Sequence, residues 1–191
     1  LAQLTFASLL TSPRRLAAPP SPSVVDEAIK SEVLILQTEP QDRIQAYRNL
    51  VRECFARQRS VMIVVPSLIE VAEMKTALER GIEERVVVAS SVQSGRDQRS
   101  AWDSAADHHE PILIIGTAPV LSFPRADLDA IVVERESARS YTTRTRPTLD
   151  LRRAAEFVAR AHGARLILAD FPVRVETYAR LHDGTADDLG R

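Results

Sequence analysis

The chain has 191 residues, of which 45% are hydrophobic and 27% are charged, with a formal net charge of -1 and a pI near 6.5. This composition is typical of one globular domain of ordinary size and excludes a strongly basic, histone-like protein. The single cysteine, Cys54, excludes a disulfide framework or a cysteine metal site and favours a reducing, cytoplasmic setting. No apolar run approaches the roughly 18 residues of a membrane span, so no membrane partner is expected.

The amino-terminal 32 residues are predicted to lie outside the main domain. Residues 11–23 contain four prolines, which lack the amide donor and exclude a regular helix or a central strand. Residues 1–32 are therefore interpreted as a Pro-rich linker or the tail of a preceding module. The main domain is placed at residues 33–183, and residues 184–191 are interpreted as a connector to a downstream region.

From Val33 onward, short β-branched apolar runs alternate with stretches of helical periodicity. Such continuously apolar runs are typical of parallel strands that are buried on both faces. The predicted strands are 33–37, 61–65, 85–89, 112–115, 130–134 and 165–169. The predicted helices are 42–58, 68–80, 98–107, 149–161 and 174–182. This alternation implies right-handed crossovers and an α/β fold, a three-layer sandwich around a mainly parallel sheet.

The loop after the first strand is unusual for its position. In a parallel sheet, ligands bind at the carboxyl ends of the strands, and a nucleotide-binding protein carries a glycine-rich phosphate loop there. Residues 37–44 read Gln-Thr-Glu-Pro-Gln-Asp-Arg-Ile and contain no glycine. We interpret Pro40 as the start of a helix whose dipole is complemented by its own Glu39 and Asp42 rather than by a ligand.

Three segments in chain order carry a family resemblance. They are Val-Met-Ile-Val-Val-Pro at 61–66, Ile-Ile-Gly-Thr at 114–117, and Leu-Asp-Ala-Ile-Val-Val-Glu-Arg-Glu-Ser at 128–137, which is followed by Ser140 and Tyr141. Together they resemble the first RecA-like lobe of PriA (primosomal protein N′), the replication-restart helicase family. The corresponding family texts are an LVLVP strand, an IGTRSA turn, and a strand ending in DEEH before a Ser-Tyr pair. The resemblance spans roughly residues 33–183.

The resemblance implies a RecA-like P-loop NTPase lobe that uses ATP and Mg²⁺. It also implies DNA, single-stranded or as a branched fork, and primosome proteins as partners. In this register the three loop glycines of the family fall on Gln37, Pro40 and Asp42. The lysine of the family falls on Arg43 and its threonine on Ile44, so every element of the loop is altered.

The acidic motif of the family is altered as well. Its Asp-Glu-Glu-His falls on residues 134–137, where Arg135 replaces the glutamate expected to act as the base, and an arginine cannot accept a proton. The third motif, Gly-Ser-Ala-Thr-Pro, falls on the unrelated residues 169–173. We therefore expect no catalytic residue and no bound ATP or Mg²⁺. The degenerate nucleotide site comprises Gln37, Pro40, Asp42, Arg43, Ile44, Glu134, Arg135 and Glu136.

The segment 135–153 is rich in arginine and is the candidate DNA-binding region. Guanidinium groups can bind phosphates, and an aromatic ring can stack on a base. The candidates are Arg139, Tyr141, Arg144, Arg146 and Arg152. The expected function is an ATPase-inactive DNA-binding or scaffold lobe in replication restart and primosome assembly. Two alternatives stay open at this point, namely a nucleotide-dependent 3′-5′ helicase lobe with a non-standard phosphate loop and an unrelated Rossmann-like ligand-binding domain.

Overall fold

The computed structural model describes residues 32–144 and 146–190. The predicted Pro-rich linker falls almost entirely outside these residues and stays a prediction. The strands are β1 (Val33–Gln37), β2 (Ser60–Val64), β3 (Val86–Ala89), β4 (Leu113–Gly116), β5 (Leu128–Glu134), β6 (Arg165–Asp170) and β7 (Asp187–Asp188). The helices are α1 (Pro40–Ala56), α2 (Leu68–Leu78), α3 (Gly95–Asp107), α4 (Leu151–His162) and α5 (Val175–His182).

The seven strands form one parallel sheet in the order β3-β4-β2-β5-β6-β1-β7. All six predicted strands and all five predicted helices are present, with boundaries that differ by three residues or fewer. The interior strand β2 is buried at every position, as its unbroken apolar run predicts. The predicted α/β class with a mainly parallel sheet is confirmed.

Two apolar cores fill the space on either side of the sheet. Side chains alternate along a strand, so Leu34 and Leu36 join the core under α1 and α2, whereas Val33 and Ile35 join the opposite core. The opposite core includes residues of α3 and α4, and the partly buried Leu181 of α5 packs against it. This arrangement is the predicted three-layer sandwich.

The sheet extends beyond the boundary that was predicted at residue 183. Asp187 and Asp188, which had been assigned to a connector, pair with Leu34 and Ile35 as the short edge strand β7. The amide of Leu189 continues this contact by donating to the carbonyl of Ile35 at 2.9 Å. A two-residue polar strand has no apolar alternation, so the pattern that identified the other strands could not identify this one.

Gly116 ends β4 where the chain passes very close to β3. A Cβ atom at this position would lie 2.0 Å from the carbonyl oxygen of Ala89 and 2.4 Å from Cγ1 of Val120. The following Thr117 donates its amide to the same Ala89 oxygen at 3.2 Å. The Gly-Thr turn of the family resemblance is therefore a packing requirement of two adjacent strands.

Candidate functional site

The connection between β1 and α1 is short. Only Thr38 and Glu39 separate the two elements, and Pro40 is the first residue of the helix, as predicted. Residues 40–42, which align with the second half of a phosphate loop, form the first helical turn instead, and the amide of Arg43 donates to the carbonyl of Glu39 at 3.0 Å. A helical turn directs its amides along the helix axis and does not wrap them around a phosphate group.

A buried ion pair lies directly behind this connection. Nη2 of Arg43 is 2.8 Å from Oε1 of Glu134, and Nε of Arg43 is 3.1 Å from Oε2 of the same carboxylate. The exposed fractions of the two side chains are 3% and 9%. Nη1 of Arg43 donates to the carbonyl of Thr38 at 2.6 Å, and the hydroxyl of Tyr47 donates to Oε2 of Glu134. Residues at the start of α1 thus satisfy the carboxylate at the end of β5.

The electrostatics of this group favour a charged pair with a neutral phenol. Burial alone would lower the pKa of Arg43, but the hydrogen bond and negative charge of Glu134 more than offset it and raise that pKa. Burial, together with the charge of Glu134, raises the pKa of Tyr47 well above its ordinary value. Tyr47 therefore acts as a hydrogen-bond donor to the carboxylate and not as an ionisable group.

The remaining residues of the predicted loop do not supply what ATP and Mg²⁺ require. Ile44 is half-buried and packs against the core under α1 and α2, so an apolar side chain stands where a hydroxyl would bind the metal ion. Gln37 and Asp42 are exposed, and Asp42 adds negative charge to the first turn of α1. Within residues 32–144 and 146–190, no group of three or more His, Cys, Asp and Glu side chains could hold a metal ion. The residues present do not fit the ATP–Mg²⁺ group.

The side chains of residues 134–136, in the acidic motif, point in three different directions. Arg135 adopts a left-handed conformation with φ 49 and its Nη1 donates to Oε1 of Glu70, at the start of α2, at 2.6 Å. Glu136 is fully buried, and its Oε1 accepts the amide of Arg174, the residue before α5, at 2.6 Å. Glu136 was predicted to belong to the degenerate nucleotide site, and this grouping stays a prediction; the turn at Arg135 directs the Glu136 carboxylate toward α5.

Two residues of the site were missed by the sequence analysis. Tyr47 lies four residues after Arg43, on the same face of α1, so helical spacing alone could have placed it beside the ion pair. Asp170, at the end of β6, accepts the amide of Ser137 at 2.9 Å and the amide of Phe171 at 2.7 Å. Asp170 thus connects residues 169–173, which align with the third family motif, to residues 134–137, which align with the acidic motif.

Two of the five DNA-binding candidates are structural residues. Tyr141 is 2% exposed, and its hydroxyl shares its single proton between the carbonyls of Val64 at 2.9 Å and Glu134 at 2.6 Å. Burial raises the pKa of Tyr141. The guanidinium of Arg152 donates to the carbonyl of Glu136 at 2.6 Å and lies over the Tyr141 ring. The burial of Tyr141 contradicts the prediction that its ring contacts DNA. The side chain of Arg152 is 11% exposed, and its DNA contact stays a prediction.

The other three candidates differ from these two. Arg139, Arg144 and Arg146 are exposed, and in the described part of the chain none of them forms a salt bridge. All three follow β5, which places them beyond the carboxyl edge of the sheet. Their charge is available to a phosphate backbone, and they stay the predicted DNA-binding set.

Comparison with known proteins supports the family resemblance. No family model matches the chain. The chain is 20% identical over 181 residues to the replication restart protein PriA of Bacillus subtilis (strain 168), a match that covers 94% of this chain and 22% of the relative. The chain therefore spans about a fifth of the length of the curated relative it matches. The predicted resemblance to PriA is confirmed.

Solved structures give the same result at the level of the fold. The UvsW helicase from bacteriophage T4 superposes with a TM-score of 0.55 at 12% identity, over 86% of this chain and 58% of that chain. RecG bound to a three-way DNA junction superposes with a TM-score of 0.54 at 18% identity, over 87% of this chain and 21% of that chain. The chain therefore shares the RecA-like α/β fold of these two solved structures. Among the described residues, no helix is long and apolar enough to cross a membrane.

Proposed function

We propose that this chain is a PriA-like helicase lobe that does not hydrolyse ATP and acts as a DNA-binding or scaffold domain in replication restart and primosome assembly. The observation that carries this proposal is the buried Arg43–Glu134 pair behind a helix that begins at Pro40. The two side chains that align with the phosphate-binding lysine and the metal-binding acid are paired with each other. The backbone that would hold a triphosphate is part of a helix.

Opening this site to a nucleotide carries a high energetic cost. A metal-bound triphosphate would have to separate Arg43 from Glu134 and unwind the first turn of α1. Separating one partner of a buried ion pair typically costs about 3 to 5 kcal/mol because it leaves an uncompensated charge. Glu39 and Asp42 would also oppose the negative charge of the phosphates. The apolar side chain of Ile44 offers no ligand to Mg²⁺ in compensation.

The DNA-binding part of the proposal rests on the exposed arginines after β5. Arg139, Arg144 and Arg146 lie on one connection and have no salt bridge to any described residue, so their positive charge suits a phosphate backbone. Two proteins that this chain resembles support DNA as the partner, because one is the replication restart protein PriA and the other, RecG, was solved bound to a three-way DNA junction. Single-stranded or branched DNA is the class of partner that follows for this chain.

The first experiment tests the loss of nucleotide chemistry. Phosphate release and melting temperature are measured with ATP, Mg²⁺ and single-stranded DNA. We expect no turnover and no thermal shift, whereas a nucleotide at a hundred times its Kd would add about 2.7 kcal/mol of stability. Turnover that is abolished in Arg43→Ala and retained in Arg52→Ala, an exposed arginine on the same helix, would refute the proposal.

The second experiment tests DNA binding by fluorescence anisotropy over a range of salt concentrations. The double variant Arg144→Ala with Arg146→Ala should bind single-stranded DNA several-fold more weakly. Its log Kd should also depend less steeply on salt, by about 0.7 for each lost phosphate contact. The matched control is Arg96→Ala with Arg99→Ala on the exposed face of α3. An unchanged Kd in the first double variant would remove the DNA-binding role and leave only the scaffold role.

A further inference from the structure

A pocket of about 490 Å³ lies between α1 and the end of α2, outside the candidate nucleotide site. Its rim carries Arg48, Arg52 and Arg80, and its floor includes Val51, Leu78 and Ile82. Helices of a parallel α/β sheet run back toward the amino ends of the strands, and residues 77–82 lead into β3. The pocket therefore lies at the edge of the sheet opposite to the exposed arginines that follow β5. Its volume is within the range of ordinary ligand pockets.

The rim has positive charge without local compensation. Nε and Nη2 of Arg48 donate to the carbonyl of Ala77 at 3.1 and 2.9 Å, which holds this guanidinium at the pocket and leaves its other N–H groups available. In the described part of the chain, Arg52 and Arg80 form no salt bridge, and no acidic residue lines the pocket. Like charges one helical turn apart, as at Arg48 and Arg52, repel each other unless a ligand neutralises them.

The nearby acidic groups lie outside the pocket lining. Glu79 faces Lys75 at 3.6 Å, and Glu83 accepts the amide of Gly81 at 2.9 Å from the side of the adjacent cleft. That cleft, which shares Gly81 and Ile82, has the opposite character, because its lining includes four acidic residues, Glu83, Glu84, Asp107 and Glu110, and one arginine, Arg85. An anionic ligand is thus attracted to the first pocket and repelled from the cleft beside it.

The floor identifies the class of ligand. It is made of aliphatic side chains, and no aromatic residue lines the pocket among the described residues. Nucleic-acid bases bind by stacking on aromatic rings, so this surface suits an aliphatic side chain better than a base. Guanidinium forks bind carboxylates in a bidentate manner, and an apolar side chain anchored in a pocket is the usual centre of a protein contact.

We propose that the pocket between α1 and α2 binds a short acidic peptide segment of a partner protein. Carboxylates of the peptide pair with Arg48, Arg52 and Arg80, and one aliphatic side chain occupies the floor formed by Val51 and Leu78. This site is independent of nucleotide and of DNA. It equips the domain to hold a protein at one edge of the sheet while the opposite edge stays free for other contacts.

The test uses the full chain and a fluorescein-labelled synthetic peptide in which glutamates flank a leucine. Anisotropy should report binding that weakens about fivefold to tenfold in the double variant Arg52→Ala with Arg80→Ala, as expected for two partly exposed charge pairs. Neither side chain forms a salt bridge or hydrogen bond with the described residues, so the variant should keep its melting temperature. The control double variant Arg96→Ala with Arg99→Ala removes the same amount of charge from α3. It should bind the peptide as tightly as the original chain does. Replacing the peptide leucine with serine should weaken binding as well.

Four results would overturn the proposal. No measurable binding would mean that the pocket does not take an acidic peptide. Equal loss in both double variants would mean that the peptide senses only bulk charge. Displacement of the peptide by inorganic phosphate alone at equal concentration would assign the pocket to a small anion. The pocket would be assigned to nucleic acid if the double variant of Arg52 and Arg80 bound a single-stranded oligonucleotide more weakly than the original chain but bound the peptide equally well.

Discussion

The ion pair between Arg43 and Glu134 makes a quantitative prediction about stability. In Arg43→Ala the carboxylate of Glu134 loses the hydrogen bonds from Nε and Nη2 but stays at the buried end of β5. The substitution also removes the bond to the carbonyl of Thr38. Alanine is the best helix former, so helix propensity works against destabilisation and the loss reports the buried contacts.

The expected loss of unfolding free energy in Arg43→Ala depends on the hydrogen bonds that Glu134 still has. Removing one partner of a buried pair costs about 3 to 5 kcal/mol. Because the hydroxyl of Tyr47 still donates to Glu134, the remaining charge is partly satisfied, and we expect the lower end, about 3 kcal/mol. For a domain of this size that loss lowers the melting temperature by about 9 °C.

Urea unfolding of four proteins measures the pair directly. They are the original chain, Arg43→Ala, Glu134→Gln and the double variant, which together form a double-mutant cycle. We expect a favourable coupling energy of at least about 2 kcal/mol between the two positions. Arg52→Ala, an exposed change on the same helix, should stay within about 0.5 kcal/mol of the original. A loss below about 1 kcal/mol in Arg43→Ala would refute the reasoning, because the pair would then not be closed and buried.

Three further predictions follow from other parts of the chain. Gly116→Ala should cost more than about 3 kcal/mol in urea unfolding, since its Cβ would overlap a backbone carbonyl of β3, while Gly95→Ala, where nothing lies within 4 Å, should be tolerated. Cys54 is fully buried and burial raises its pKa to about 12, so Ellman's reagent at pH 8 should react only after unfolding; rapid reaction of the folded chain would contradict this. Partial burial alone would raise the pKa of Asp127, but the hydrogen bond and positive charge of Arg125 outweigh it and lower that pKa below 3.8. The ionised Asp127 therefore stabilises the fold fully above pH 3.8, and this stabilisation is lost as the pH falls through the lowered pKa. In Asp127→Asn the urea midpoint should fall less steeply as the pH is lowered below 3.8. An unchanged pH dependence of the urea midpoint would contradict this prediction.

Regular elements were predictable because each depends on local patterns. The β-branched runs located six strands, and their unbroken apolar character indicated a parallel sheet that is buried on both faces. Pro40 indicated the start of α1 because proline suits the first position of a helix. The family alignment also singled out both Arg43 and Glu134, which are paired in the structure although 91 residues separate them in the chain.

Side-chain directions after β5 were not predictable in the same way. Arg135 adopts a positive φ that arginine rarely takes, and this single backbone turn decides that Glu136 faces α5. Tyr141 lies in an arginine-rich segment and was interpreted as a surface residue. It is buried because its hydroxyl satisfies two carbonyls at the ends of neighbouring strands, which only the three-dimensional arrangement brings within reach.

The buried pair at the start of α1 also limits how this domain can change. Arg43 and Glu134 depend on each other, so a substitution that prepares one of them for phosphate or metal binding removes the partner of the other. Each single step back toward a working phosphate loop would lower the stability of the domain before any activity could be selected. A nucleotide site here would require both positions, Ile44 and the first turn of α1 to change together. Under the proposed function, the buried pair would therefore preserve the ATPase-inactive state, and the free surfaces of the domain are the parts that can acquire new contacts.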